Sequence, residues 1–165
     1  MPKYRLLTED ELKELEGIFI NFLAAKSITA DEWEKIKKKD KDKMRELLEE
    51  FSDVVFEKTL SNVRLLEKRT PSKILFFIPD DEGIELLGLE VQGDAGIDFT
   101  KEFTTDDILA LFDENNDTEV NFVMGKKPYF EDRKKEIFDL MQSGAMISQN
   151  DEFLNFFRQL KETYG

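Results

Sequence analysis

Through the first third of the chain, apolar residues return every three or four positions, and that spacing predicts amphipathic helices. In LTEDELKELEGIFINFLAAK, Thr8 and Glu11 have the spacing of a capping box, and a helix follows. Its stripe is Leu12, Leu15, Ile18, Phe19, Phe22 and Leu23, with Glu14 and Glu16 on the wet side and Gly17 as a weak point. Thr29 and Glu32 repeat the device ahead of Trp33 and Ile36, which predicts a second helix. Met44, Leu47, Leu48, Phe51, Val54 and Val55 mark a third, running to about Ser61.

The period then shortens. NVRLLEKRT, KILFFIP and GIELLGLEVQ are brief runs rich in apolar and branched residues, and they read as strands. PDDEG suits a hairpin loop, since Pro79 presets one backbone angle and Gly83 can take a positive one, so the second and third strands should pair antiparallel. In IELLGLEV, Ile84, Leu86 and Gly88 share one face while Glu85, Leu87, Leu89 and Val91 share the other. Neither face is cleanly polar, so both should be partly covered.

Further on, IDF reads as another short strand, and TTDDILALF as a helix capped by Thr104 or Thr105 with Asp106 and Asp107 in its first turn. VNFVMG is strand-like. PYFEDRKKEIFDLMQSG predicts a helix that starts with Pro128, buries Phe130, Ile137, Leu140 and Met141, and stops near Gly144. NDEFLNFFRQLKETY closes as a helix with Phe153, Phe156, Phe157, Leu160 and Tyr164 as its stripe. No linker tract interrupts the chain. The pattern predicts one compact α+β domain over residues 1–165, with a three-helix part (1–61), a small, mostly antiparallel sheet part with one helix (62–125) and a helical part (126–165).

Composition narrows the chemistry. The 15 Phe among 165 residues supply a core, and 37% charged residues supply a solvated exterior. Cysteine is absent, which removes disulfides, thiolate nucleophiles and Cys-ligated metals. Histidine is absent too, and with it go the usual general base near neutral pH and the commonest transition-metal ligand. No apolar window approaches the roughly 18 residues of a membrane span, and the start MPKYRLLTEDEL lacks a leader-like core, so the chain reads as cytoplasmic.

The net charge of -13 is regional. Residues 71–119 set Lys73 and Lys101 against 14 acids, which accounts for all but one of the excess negative charges. Such a surface would repel nucleic acid and anionic membrane and would suit a basic protein partner or divalent cations. The basic run KIKKKDKDK, Lys35 to Lys43, is diluted by Asp40 and Asp42 and reads as a solvated helix junction.

LFDENNDTEVNFVM matches half of a calcium loop. Asp113, Asn115 and Asp117 occupy ligand positions 1, 3 and 5, and Glu119 can offer its carbonyl at 7. Thr118 replaces the glycine at position 6, Met124 replaces the closing bidentate glutamate, and the segment beyond looks extended. A loose calcium or magnesium site would use Asp113, Asn115 and Asp117; no other cofactor is implied.

No Walker, dinucleotide or nucleophile-elbow pattern occurs, and no catalytic residue stands out. The balance leans away from an enzyme and toward a protein-interaction or adaptor domain with an acidic surface region, residues 71–119. Its candidate contacts are Asp80, Asp81 and Glu82 at the hairpin tip, and Trp33, a residue type enriched at binding hot spots. The alternatives are a weak divalent-cation protein using the 113–119 loop and a carboxylate- or metal-dependent enzyme; the oligomeric state stays open. LTEDELKELEGIFINFLAAKSITADEWEKIK, FSDVVFEKTL and LLEKRTPSKILFFI together resemble a family of uncharacterised bacterial proteins, a domain of unknown function. That resemblance implies a cytoplasmic bacterial protein and carries over no functional residue.

Overall fold

The computed structural model describes residues 1–93, 96–113 and 117–165. The fold is α+β, and the chain divides into two compact units, residues 1–62 and 63–165.

The first unit is helical, with α1 (Glu9–Glu14), α2 (Glu16–Ala25), α3 (Ala30–Lys39) and α4 (Lys41–Ser61). The caps fall where side-chain chemistry predicts them. The Thr8 hydroxyl accepts the Glu11 N–H while a Glu11 oxygen accepts the Thr8 N–H, and Thr29 accepts the Glu32 N–H. Asp40 separates α3 from α4 and caps α4 through the Lys43 N–H, so the lysine run is a helix junction as expected. The core is aromatic. Phe51 is fully buried and meets Phe19 and Phe22 at centroid distances of 4.8 and 5.2 Å.

The first predicted helix is in fact two. Leu15 leaves helical geometry (φ -101°, ψ 16°), ending α1 and starting α2, with flexible Gly17 just beyond. The bend resets the phase of the stripe. Phe19, Phe22 and Leu23 therefore turn inward, while Ile18, expected inside, is 56% exposed.

The second unit holds β1 (Leu66–Thr70), β2 (Lys73–Pro79), β3 (Gly83–Gln92), α5 (Thr105–Ala110), β4 (Glu119–Pro128), α6 (Arg133–Gln142), β5 (Met146–Ile147) and α7 (Asp151–Tyr164). The strands make one antiparallel sheet in the order β4-β3-β2-β1-β5. Register places Ile74 opposite Leu89, Phe76 opposite Leu87 and Leu89 opposite Phe122, so one face is continuously apolar. Phe157, Leu154 and Leu160 of α7, with Ile108 of α5 and Leu111 just after it, complete the core on that face. The other face buries Leu66 and Ile84, and its Lys127 reaches Glu136 of α6 at 3.8 Å. Both faces are thus partly covered, as the mixed alternation of β3 requires.

Three further expectations are corrected. IDF is not a strand: Asp98 accepts the Thr100 N–H and hydroxyl, and this local turn outcompetes a ladder while Phe99 drops into the core. Pro128 ends β4 instead of opening α6, which begins five residues later behind the Asp132 cap, leaving Phe130 85% exposed. The two-residue β5 had no sequence signal. Gly144 does end α6, at φ 114°.

Three variants test these contacts. A Cβ on Gly88 would lie 2.5 Å from the Ile74 carbonyl oxygen and 2.6 Å from a Leu75 methyl, whereas at Gly17 no such atom comes within 4 Å. Urea denaturation should therefore show Gly88→Ala losing about 1–3 kcal/mol, and Gly17→Ala unchanged or gaining up to about 1 kcal/mol. Glu11 titrates near 2, held down first by the Arg5 guanidinium at 2.8 Å and then by the Thr8 amide. Since its folded pKa lies below the ordinary value of 4.5, its stabilisation is full above that value and fades as pH falls toward about 2. Glu11→Gln should be less stable at neutral pH and lose less on acidification over that interval.

Candidate functional site

A groove of about 860 Å³ lies in the second unit, lined by Arg69, the segment from Thr100 to Thr105, Asp107, Asn150 and Phe153. Each wall has a local cause. Glu67 and Arg69 are two apart on β1 and so share the sheet face that carries the core, at the point where its apolar surface ends. Arg69 donates from Nε and Nη2 to one Glu67 oxygen at 2.9 and 2.6 Å. Held this way, its guanidinium lies across two rings, 5.1 Å from the centroid of Phe103 and 5.6 Å from that of Phe153.

Those rings are rooted in the core. Phe103 sits edge-on to buried Phe99 at 5.5 Å, and Phe153 sits edge-on to buried Phe76 at 5.7 Å. Asn150 caps α7 through the Phe153 N–H, fixing where that ring enters the groove. On the opposite wall Thr104 and Asp107 form a reciprocal capping box, at 3.1 and 2.8 Å, which starts α5. Asp107 is therefore a structural carboxylate, while Glu102 and Lys101 are exposed at the rim. A neighbouring hollow of about 530 Å³ shares Lys101, Glu102, Phe103 and Asp107 and adds Asp98. The whole offers aromatic surface, a planar cation and a polar rim, suited to recognition by contact.

The residues singled out by sequence are dispersed. Asp80 is built into the β2–β3 hairpin: it accepts the Glu82 and Gly83 N–H groups at 2.8 and 2.9 Å and a bond from Lys126 Nζ at 2.8 Å. The Lys126 contact, then the two amides, hold its carboxyl down at about 2. Its own carbonyl accepts the Tyr129 hydroxyl at 2.6 Å. Asp81 and Glu82 remain exposed at the tip. Trp33 is half-buried, edge-on to Phe19 at 5.1 Å with Lys37 over its ring, which makes it part of the aromatic core of the first unit.

Asp113 and Asp117 are exposed, Asn115 lies outside the described residues, and β4 begins at Glu119, so Met124 stands within a strand. Among the described residues no three Asp or Glu side chains converge as a metal site. Glu136 is the one buried carboxylate among them, so the two buried acids that carboxylate catalysis would need are not brought together there. No helix among the described residues is long and apolar enough to cross a membrane.

The regional charge disperses in the same way. Glu85 pairs with Arg158 of α7 at 2.6 Å and Asp80 with Lys126 of β4, so acids of the 71–119 segment meet cations from outside it. Sequence reasoning missed Arg69 and Phe103 as site residues. The available signal was Glu67 and Arg69, two charges on an otherwise apolar strand face.

The fold is that of a small α+β protein, and its groove is lined by aromatic and charged side chains. The chain belongs to a family of unknown function, DUF6495, whose model matches residues 1–162. No curated protein and no solved structure matches it.

The hairpin assignment has a direct check. Carbon-detected NMR titration should place the Asp80 midpoint near 2, and Lys126→Met should move it up toward the ordinary aspartate value. An unmoved midpoint would show that the lysine contact is not made in solution.

Proposed function

We propose that this chain is a protein-interaction module that takes a segment of a partner protein into the groove lined by Phe103 and Phe153. The observation that supports this reading is the Arg69 guanidinium laid across both rings at the acidic end of the unit. Aromatic side chains anchored from behind and partly open in front give large contact area with little ordering cost. The strip from Asp98 to Asp107 carries four acids and one lysine, which favours a partner with a basic side chain beside an apolar one. The contact face suggested by sequence moves accordingly, from the hairpin tip at Asp80 to this strip.

Affinity capture with the intact chain as bait tests the groove. Glu102→Lys and Phe103→Ala should each weaken recovery of the partner about tenfold, while Glu131→Lys, a charge change outside the groove, should leave recovery unchanged. Thermal melts confirm that the variants are folded. Equal recovery by all three would reject the groove as the docking surface.

A further inference from the structure

At the other edge of the sheet from the Arg69 groove, β4 presents a ten-residue strand with nothing among the described residues paired to its outer side. Long open edges are avoided in proteins that must stay apart, because their free N–H and C=O groups template another strand. The bonding direction along β4 can be worked out. Val91 donates its N–H to Ser72 and Asp80 donates to Gly83, so odd-numbered residues of β3 turn their backbone groups toward β2 and even-numbered ones toward β4. Through the β3–β4 register, odd residues of β4 face β3, and Val120, Phe122, Met124 and Lys126 face outward.

We propose that this edge pairs with the same edge of a second copy, antiparallel about a two-fold axis through Val123, to make one continuous sheet. Residues opposite each other in such a pair must both turn their backbone groups inward or both outward, so the axis must pass through a residue and not between two. Three registers then compete. With the axis at Val123, Phe122 faces Met124, Val120 faces Lys126, and Glu119 faces Lys127 at both ends of the strand. With the axis at Met124, outward-facing Pro128, which has no N–H, falls opposite Val120 and a ladder bond is lost. With the axis at Phe122, Glu119 faces Gly125 and the paired length shortens.

The Val123 register alone matches opposite charges within the strand at both ends while keeping Pro128 out of the ladder. Lys127 is 3.8 Å from Glu136, a separation that leaves the lysine able to reach a second carboxylate. The flanks fit the same occupant. Met124 is 53% exposed on the edge, and Phe122 stacks on Phe112, which stacks on half-exposed Tyr164 at 4.4 Å. These give an apolar fringe that a second copy would cover with its own.

The absence of cysteine makes the test clean. Val123→Cys places one thiol per chain on the axis, opposite itself in a non-hydrogen-bonded pair whose Cα separation of about 4.5 Å lies within disulfide range. Mild oxidation should convert it to a covalent dimer, while Asn121→Cys, which faces Gly125 of the other copy, should stay largely uncrosslinked. Sedimentation should show the wild-type chain dimerising with concentration. Glu119→Lys or Lys127→Glu should each weaken dimerisation about tenfold, and the Glu119→Lys, Lys127→Glu double variant should restore it. A wild-type chain that stays monomeric at millimolar concentration, equal crosslinking at positions 121 and 123, or a double swap that fails to restore association would each overturn the proposal. The Glu102→Lys variant, altered only in the groove, should dimerise like wild type.

Discussion

The register of β3 is the constraint on which the second unit depends. It is bonded on both sides, to β2 and to β4, and a slip of one residue against either would turn Leu87, Leu89 and Val91 out of the core together. Two local devices hold it. At one end Asp80 closes the hairpin onto the amides of Glu82 and Gly83 and ties it to β4 through Lys126. In the middle, Gly88 admits the Ile74 carbonyl and the Leu75 side chain at distances that any Cβ would forbid. This alignment fixes which β4 residues offer their backbone outward, and the β1–β2 register beside it puts Glu67 and Arg69 on the core face.

Charge shows how far a linear reading carries. Residues 71–119 do hold nearly all of the excess negative charge, but an antiparallel sheet sets each strand beside segments distant in sequence. Glu85 thereby meets Arg158, and Asp80 meets Lys126. Exposed pairs of this kind contribute little to stability. Their effect is on the surface: they neutralise acids of the central strands, while among the described residues the acids of the strip from Asp98 to Asp107 have only Lys101 as a cation within the strip. Regional charge was legible, whereas its pairing with distant cations was not.

The legible features share one property, which is that their cause lies within a few residues. Thr8, Thr29 and Thr104 cap helices through bonds spanning three residues, and the Pro79 to Gly83 turn is similarly local. The features that were missed depend on distant partners or on competition between local choices. Leu15 breaks a periodic stripe because the rings of α2 turn toward Phe51 on α4, and the Asp98 side chain captures Thr100 before IDF can join a ladder. The groove was unreadable for the first reason. It needs a strand arginine, a loop phenylalanine and a helix phenylalanine from three separate parts of the chain, and each alone passes as ordinary core or surface.

Pro128 connects these observations to the open edge. In a central strand it would cost a ladder bond, yet it stands at an outward-facing position of β4, where the sheet asks nothing of its missing N–H. Together with Lys126 and Lys127 it blunts the far end of the strand against an arbitrary partner. The near end, Glu119 to Met124, has no such guard and carries the half-exposed apolar side chains. An edge guarded at one end and apolar at the other discriminates by register: a partner strand must bring an acid to Lys127 and must stop before the proline. A second copy of β4, run antiparallel about Val123, meets both conditions by symmetry.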